Sequence, residues 1–168
     1  MLASRLLGIA GWSGAGKTTL IEALLPLLVA SGLRVSTVKH AHHGFDLDRP
    51  GKDSFRHRAA GAHEVMLLGD RRFALMHEFG DAAPGLAALL ARMDPVDLVL
   101  IEGFRDYPIP QLEVHRPSLG LTPLWRDHSQ VAAVASDAPL PDCALPVLDL
   151  NTPEQVAGWI KAKEGLLF

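Results

Sequence analysis

Apolar and polar residues fall in blocks along this chain, and the period changes from one block to the next. Leu6-Leu7-Gly8-Ile9-Ala10 is a continuous apolar run, the pattern of a strand covered on both faces. Leu20, Ile21, Leu24 and Leu28 then recur at helical spacing. The predicted helix starts at Lys17 or Thr18 and ends near Gly32, with Pro26 kinking it or loosening a turn. Residues 34–38 read as a second strand, and residues 40–53 as polar, irregular chain. A short helix is expected over residues 54–60, with Asp53 or Ser54 as its cap. Residues 65–68 and 73–76 form a hairpin candidate across Gly69-Asp70-Arg71-Arg72.

Pro84 opens a further helical pattern through Leu86, Leu89, Leu90 and Met93. Leu98-Val99-Leu100-Ile101 and Val131-Ala132-Ala133-Val134 read as buried strands, with a short strand over residues 112–114, and residues 147–150 lead to the last helix. The last helix has Pro153 at its first position and Thr152 and Gln155 at capping-box spacing. Buried strands interleaved with helices predict an α/β fold, a three-layer arrangement around a mainly parallel sheet with a small β-hairpin. With no repeat, low-complexity stretch or long linker, residues 1–168 are expected to form a single domain.

The turn between the first strand and first helix carries the clearest chemistry. Gly11-Trp12-Ser13-Gly14-Ala15-Gly16-Lys17-Thr18 is a complete Walker A phosphate loop in its strand–loop–helix setting. Glycines let the backbone turn its N–H groups towards a phosphate, and the helix N-terminus adds partial positive charge. Lys17 can reach terminal phosphates, and the Thr18 hydroxyl, followed by Thr19, can ligate Mg²⁺. The alternative is a glycine-rich turn that binds nothing.

Asp97-Leu98-Val99-Leu100-Ile101-Glu102-Gly103 has the Walker B form, an apolar run ending in a carboxylate. Glu102 can hold Mg²⁺ or orient water, or be an ordinary acid just past a strand. His40, His42 and His43 suit zinc or nickel, or a solvated loop. Asp46 and Asp48 suit Mg²⁺ or water positioning near a γ-phosphate. Lys39, Lys52, Arg56 and Arg58 suit a second anion or a solvated helix face. Asp137 ends a strand, where one carboxylate can accept both N1–H and N2–H₂ of guanine, or cap the turn before Pro139.

Composition narrows the class. The hydrophobic fraction of 48% and charged fraction of 21% are those of a globular chain. A net charge of −3 argues against generic nucleic-acid binding. A single cysteine, Cys143, excludes an internal disulfide framework. No signal-peptide pattern follows Met1 and no apolar run reaches membrane length, so a soluble, cytoplasmic protein is expected.

Taken in order, several segments resemble the MobB family, the molybdopterin-guanine dinucleotide biosynthesis adaptor proteins. They are the phosphate loop, Val38-Lys39-His40-Ala41-His42-His43, and Phe45-Asp46-Leu47-Asp48-Arg49-Pro50-Gly51-Lys52-Asp53-Ser54. Ala60-Gly61-Ala62, Ala74-Leu75-Met76, Leu100-Ile101-Glu102-Gly103-Phe104 and Ala133-Val134-Ala135-Ser136-Asp137 continue the likeness. The resemblance implies a P-loop GTPase-like homodimer that binds GTP and Mg²⁺ and hydrolyses GTP weakly. It also implies assistance to the guanylyltransferase (MobA-like) that attaches GMP to molybdopterin.

Carried over by position, Gly11 to Thr18 take the phosphates and Mg²⁺, and Asp137 takes guanine. Asp46, Asp48 and Glu102 then line the γ-phosphate side. Arg105 stands where the family commonly has lysine, and residues 116–128 resemble it least. Two other readings stay open on the residues themselves. One is a small-molecule kinase using ATP or GTP, with Arg56 and Arg58 as lid residues. The other is a nucleotide-dependent interaction module without enzymatic function.

Overall fold

A computed structural model of the chain describes residues 4–41, 47–80 and 82–163. In chain order the elements are β1 (Arg5–Ala10), α1 (Lys17–Ala30), β2 (Val35–Lys39), α2 (Asp53–Ala59), β3 (Glu64–Leu68), β4 (Phe73–His77) and α3 (Leu86–Leu90). They continue with β5 (Leu98–Glu102), β6 (Gln111–His115), β7 (Val131–Ser136), β8 (Val147–Asp149) and α4 (Pro153–Ala162). The chain divides into two compact units, Met1–His40 with Pro95–Phe168, and Ala41–Asp94.

The first unit is built on a six-stranded sheet in the order β2-β5-β1-β6-β7-β8, and every neighbouring pair is parallel. The apolar runs read from sequence become the inner strands β1, β5 and β7, and their residues, like those of β6 between β1 and β7, are almost all buried. On one face, Leu7, Ile9, Leu112, Val114, Ala133 and Ala135 pack in one core with Leu20, Leu24 and Leu28 of α1 and Val156, Ala157 and Ile160 of α4. Leu24 and Leu28 are wholly buried; each such side chain contributes about 1.5–3 kcal/mol relative to exposure.

The opposite face carries Ala10, Val131 and Val134, covered by Leu124, Trp125, Leu140, Cys143 and Leu145. That cover is loop chain with a 3₁₀ turn at Leu124–Arg126. Among the described residues, no helix is long and apolar enough to cross a membrane.

α1 runs unbroken through Pro26, which lies on the exposed side. Its end is a Schellman turn: Gly32 N–H bonds the Val29 carbonyl at 2.9 Å and Leu33 N–H the Leu28 carbonyl at 3.3 Å. Gly32 has φ 91°, the left-handed value that glycine adopts without strain. α4 corrects an expectation, because the Thr152–Gln155 capping box does not form. Asp149 captures both side chains: Thr152 Oγ1 donates to Asp149 Oδ2 at 3.0 Å, and Gln155 Oε1 accepts the Asp149 N–H at 2.6 Å.

The second unit holds α2, α3 and the antiparallel β3–β4 hairpin, with Leu68 opposite Phe73 and Met66 opposite Leu75. Neither expected cap serves α2; its N-cap is Lys52 and Asp53 is already helical. α3 is shorter than its apolar spacing suggested. Arg92 and Met93 bond three residues back, to Leu89 and Leu90, so the last turn tightens and the α-helix ends.

Candidate phosphate-binding site

The strand order assembles the polar cluster. β5 lies between β2 and β1, in a register that sets Glu102 opposite Lys39 on one side and Ile9 on the other. Ile9 is two residues from the phosphate loop, so Glu102 arrives beside the first turn of α1. Thr18 Oγ1 donates to Glu102 Oε1 at 3.0 Å, and Lys39 Nζ lies 3.5 Å from Glu102 Oε2 and 3.3 Å from Thr18 Oγ1. Glu102 is nearly buried while Lys39 reaches the cluster from solvent. Position in the chain groups Lys39 with Lys52, Arg56 and Arg58. Its partnership with Glu102 follows from strand neighbours, which spacing along the chain does not reveal.

The loop itself is held tightly. Gly11 has φ 136°, and a Cβ there would collide with the carbonyl oxygen of Val114 on β6. Gly16 caps α1 in the left-handed region, and a Cβ on it would meet the Arg116 guanidinium at 3.5 Å. Ala15 is buried in the α1 core, whereas Ser13, Gly14, Thr18 and Thr19 are exposed. Lys17 Nζ donates to the carbonyls of Gly11 and Trp12, each at 2.9 Å. Burial lowers the Lys17 pKa, with Lys39 acting in the same direction and Glu102 opposing.

Trp12 is held by a backbone carbonyl and a side chain from outside the loop. Its Nε1 donates to the Thr122 carbonyl at 2.7 Å, and the Arg105 guanidinium stacks 5.5 Å above its ring. That gives Arg105 a definite task in bracing the loop.

The far side of the loop meets β6 and β7. Register pairs His115 with Ser136, so the next residues, Arg116 and Asp137, leave their strands side by side. Arg116 Nη1 donates to Asp137 Oδ2 at 2.5 Å, and Arg116 Nε donates to the Ala15 carbonyl at 3.0 Å. Beneath them Glu113 is wholly buried and accepts the backbone N–H groups of Leu124 at 2.7 Å and Trp125 at 2.9 Å. Burial pushes the Glu113 pKa up, partly offset by those two bonds and by His115 and His128. His115 is also buried, edge-on to the Trp125 ring at 5.4 Å. Neither Arg116 nor Glu113 belongs to any motif, and the period-two pattern of β6, apolar at Leu112 and Val114, would turn Glu113 to solvent, whereas loop chain buries that face too.

His40 stays at the end of β2, its ring 4.8 Å from Phe104 and its N–H bonded to the Glu102 carbonyl at 2.8 Å. His42, His43 and Asp46 lie outside the described residues. Among the described residues, no three His, Cys, Asp or Glu side chains gather to hold a metal. Asp48 belongs to the second unit, where its buried carboxylate pairs with Arg58 at 2.8 Å; Arg58 also pairs with Glu78 at 3.0 Å. Arg56 pairs with Asp53 one helical turn away.

Residues 6–137 match the family profile described as "Molybdopterin guanine dinucleotide synthesis protein B". The chain belongs to the MobB family. A molybdopterin-guanine dinucleotide biosynthesis adapter protein of Haemophilus influenzae is 43% identical over 158 residues, covering 93% of this chain and 87% of the relative. Its Escherichia coli counterpart is 42% identical over 160 residues, covering 92% and 90%.

Two crystal structures share the fold at 25% identity. A MobB homolog from Bacillus stearothermophilus has a TM-score of 0.67 over 94% of this chain and 95% of its own. A structure titled molybdopterin-guanine biosynthesis protein B has a TM-score of 0.74 over 94% and 98%. The MobB match spans β1 to Asp137, so it contains both ends of the candidate site.

Proposed function

We propose that this chain is a GTP- and Mg²⁺-binding accessory protein of molybdopterin guanine dinucleotide synthesis, with weak GTPase activity. It would assist a MobA-like guanylyltransferase in joining GMP to molybdopterin. The observation that carries the reading is that strand register sets two polar groups on either side of one phosphate loop. Thr18 and Glu102 lie on one side, and Asp137 lies on the other.

Gly11, Trp12, Ser13, Gly14, Ala15, Gly16, Lys17, Thr18 and Thr19 are assigned to the phosphates. Binding would draw Lys17 from two loop carbonyls to the β- and γ-phosphate oxygens, exchanging neutral acceptors for charged ones. Thr18 and Glu102 fit Mg²⁺, since hard oxygen donors at a spacing of 3.0 Å match adjacent corners of an octahedron with ~2.1 Å bonds. When bound, the ion neutralises charge developing on the transferred phosphoryl group. Lys39 adds a second positive charge beside those oxygens, and Glu102 can orient the attacking water. Asp137 accepts the paired N–H donors of guanine.

A homodimer has support in the hairpin. Met66, Leu68, Phe73 and Leu75 share one face of β3–β4 and are 59%, 81%, 66% and 41% exposed. A two-stranded ribbon is marginal in water, and this apolar face suits a second copy of the chain. The kinase reading gains nothing here, because Arg58, one of its two lid candidates, is committed to Asp48 and Glu78.

Nucleotide titration, with mass identification of small molecules that copurify, tests the assignment. Tighter binding of GTP than of ATP, and faster guanylyl transfer by a MobA-like enzyme in the chain's presence, are expected. Rapid phosphoryl transfer to a small acceptor would replace this reading with the kinase.

A further inference from the structure

We infer that Arg116 is a specificity-determining positioning residue that joins the base-recognising carboxylate to the phosphate loop. The inference rests on the guanine reading of Asp137. Arg116 follows β6 and Asp137 follows β7, and the His115–Ser136 register makes them neighbours before either side chain is considered. One guanidinium then addresses two acceptors, one in the phosphate loop and one just past β7: Ala15 O through Nε at 3.0 Å and Asp137 Oδ2 through Nη1 at 2.5 Å. The Arg116 side chain is one-third exposed and that of Asp137 less than a quarter, so both are partly withdrawn from water.

Two consequences follow from this geometry. A carboxylate placed to read guanine stands close to a loop that takes a polyanion, and unpaired it would repel the phosphates. The Arg116 charge cancels that repulsion. The guanidinium also fixes the plane of the Asp137 carboxylate through Oδ2. A carboxylate has about four lone-pair positions, so acceptors remain for N1–H and N2–H₂. Fixing them beforehand removes an ordering cost from base binding. Lysine cannot copy the arrangement, because a single ammonium on a flexible stem does not hold two acceptors in a planar fork.

The test is titration of GTP, ITP and ATP, each with Mg²⁺, against the wild type, Arg116→Ala, Arg116→Lys, Asp137→Ala and the Arg116→Ala/Asp137→Ala double variant. Thermal unfolding without nucleotide is measured alongside. In the wild type, GTP is preferred to ITP and ATP, and Asp137→Ala removes the preference. Arg116→Ala and Arg116→Lys each reduce the GTP-to-ATP preference by about tenfold, the order expected for a charge-assisted contact. The double variant is no less selective than Asp137→Ala alone, as two residues acting as a unit require.

Retention of wild-type selectivity by both Arg116 variants, with its loss in Asp137→Ala, would overturn the role of Arg116 and leave guanine recognition standing. Equal binding of GTP and ATP by the wild type would overturn the guanine reading and this inference together. If Arg116→Ala does not fold, Arg116→Lys carries the same comparison.

Discussion

Thr18 Oγ1 and Glu102 Oε1 lie 3.0 Å apart although 84 residues separate them in the chain. Their meeting depends on β5 lying between β1 and β2, and the longer glutamate side chain reaches the hydroxyl directly. Glu102→Gln should therefore keep the fold and weaken the Mg²⁺ dependence of nucleotide binding. About a tenfold loss of GTP affinity with Mg²⁺, and little change with EDTA, is expected in calorimetric titration. Thr18→Val should behave alike.

Lys17 gives a pH signature. Its pKa is held below the ordinary lysine value of 10.5 by burial in the free protein. A bound triphosphate favours the charged amine and raises that value. Affinity should thus be greatest below the free-state value and decline as pH rises through the bound-state value. Calorimetry in alkaline buffers of different ionisation enthalpy should show proton uptake on binding, absent in Lys17→Met.

Gly11→Ala should unfold the protein at much lower temperature. The new methyl group meets the Val114 carbonyl, and φ 136° is strained for any side chain. A loss of about 3 kcal/mol or more is expected in denaturant titration.

Glu113 is a structural acid, and its pKa is raised above the ordinary 4.5 mainly by burial. Its stabilising contribution is fully present below that ordinary value and falls as pH climbs through the raised one. Glu113→Gln cannot ionise, so the stability difference between wild type and variant should shrink with rising pH over that window. Glu113→Ala should cost about 2–5 kcal/mol, because two backbone N–H groups lose their acceptor.

Much of this architecture was legible in the sequence. Continuous apolar runs identified β1, β5 and β7, and the phosphate loop declared itself through glycine and lysine spacing. Glu102 and Asp137 stand out as candidates because Glu102 ends a strand and Asp137 follows the end of one. The pairings of these residues were hidden. Lys39 with Glu102, and Arg116 with Asp137, follow from which strands are neighbours, a non-local fact that composition and spacing do not encode. The Thr152–Gln155 box misled for a related reason: its spacing was right, but Asp149 offered both side chains nearer partners.

The strand order also governs when the site can come into being during synthesis. β1, α1 and β2 leave the ribosome early, yet β1 and β2 are not sheet neighbours, and the strand between them ends only at Glu102. Arg5 pairs with Leu98, so nearly a hundred residues must emerge before the central ladder can close. Such long loop closures slow folding. The nascent loop therefore remains without the strand that carries Glu102 until that strand has emerged.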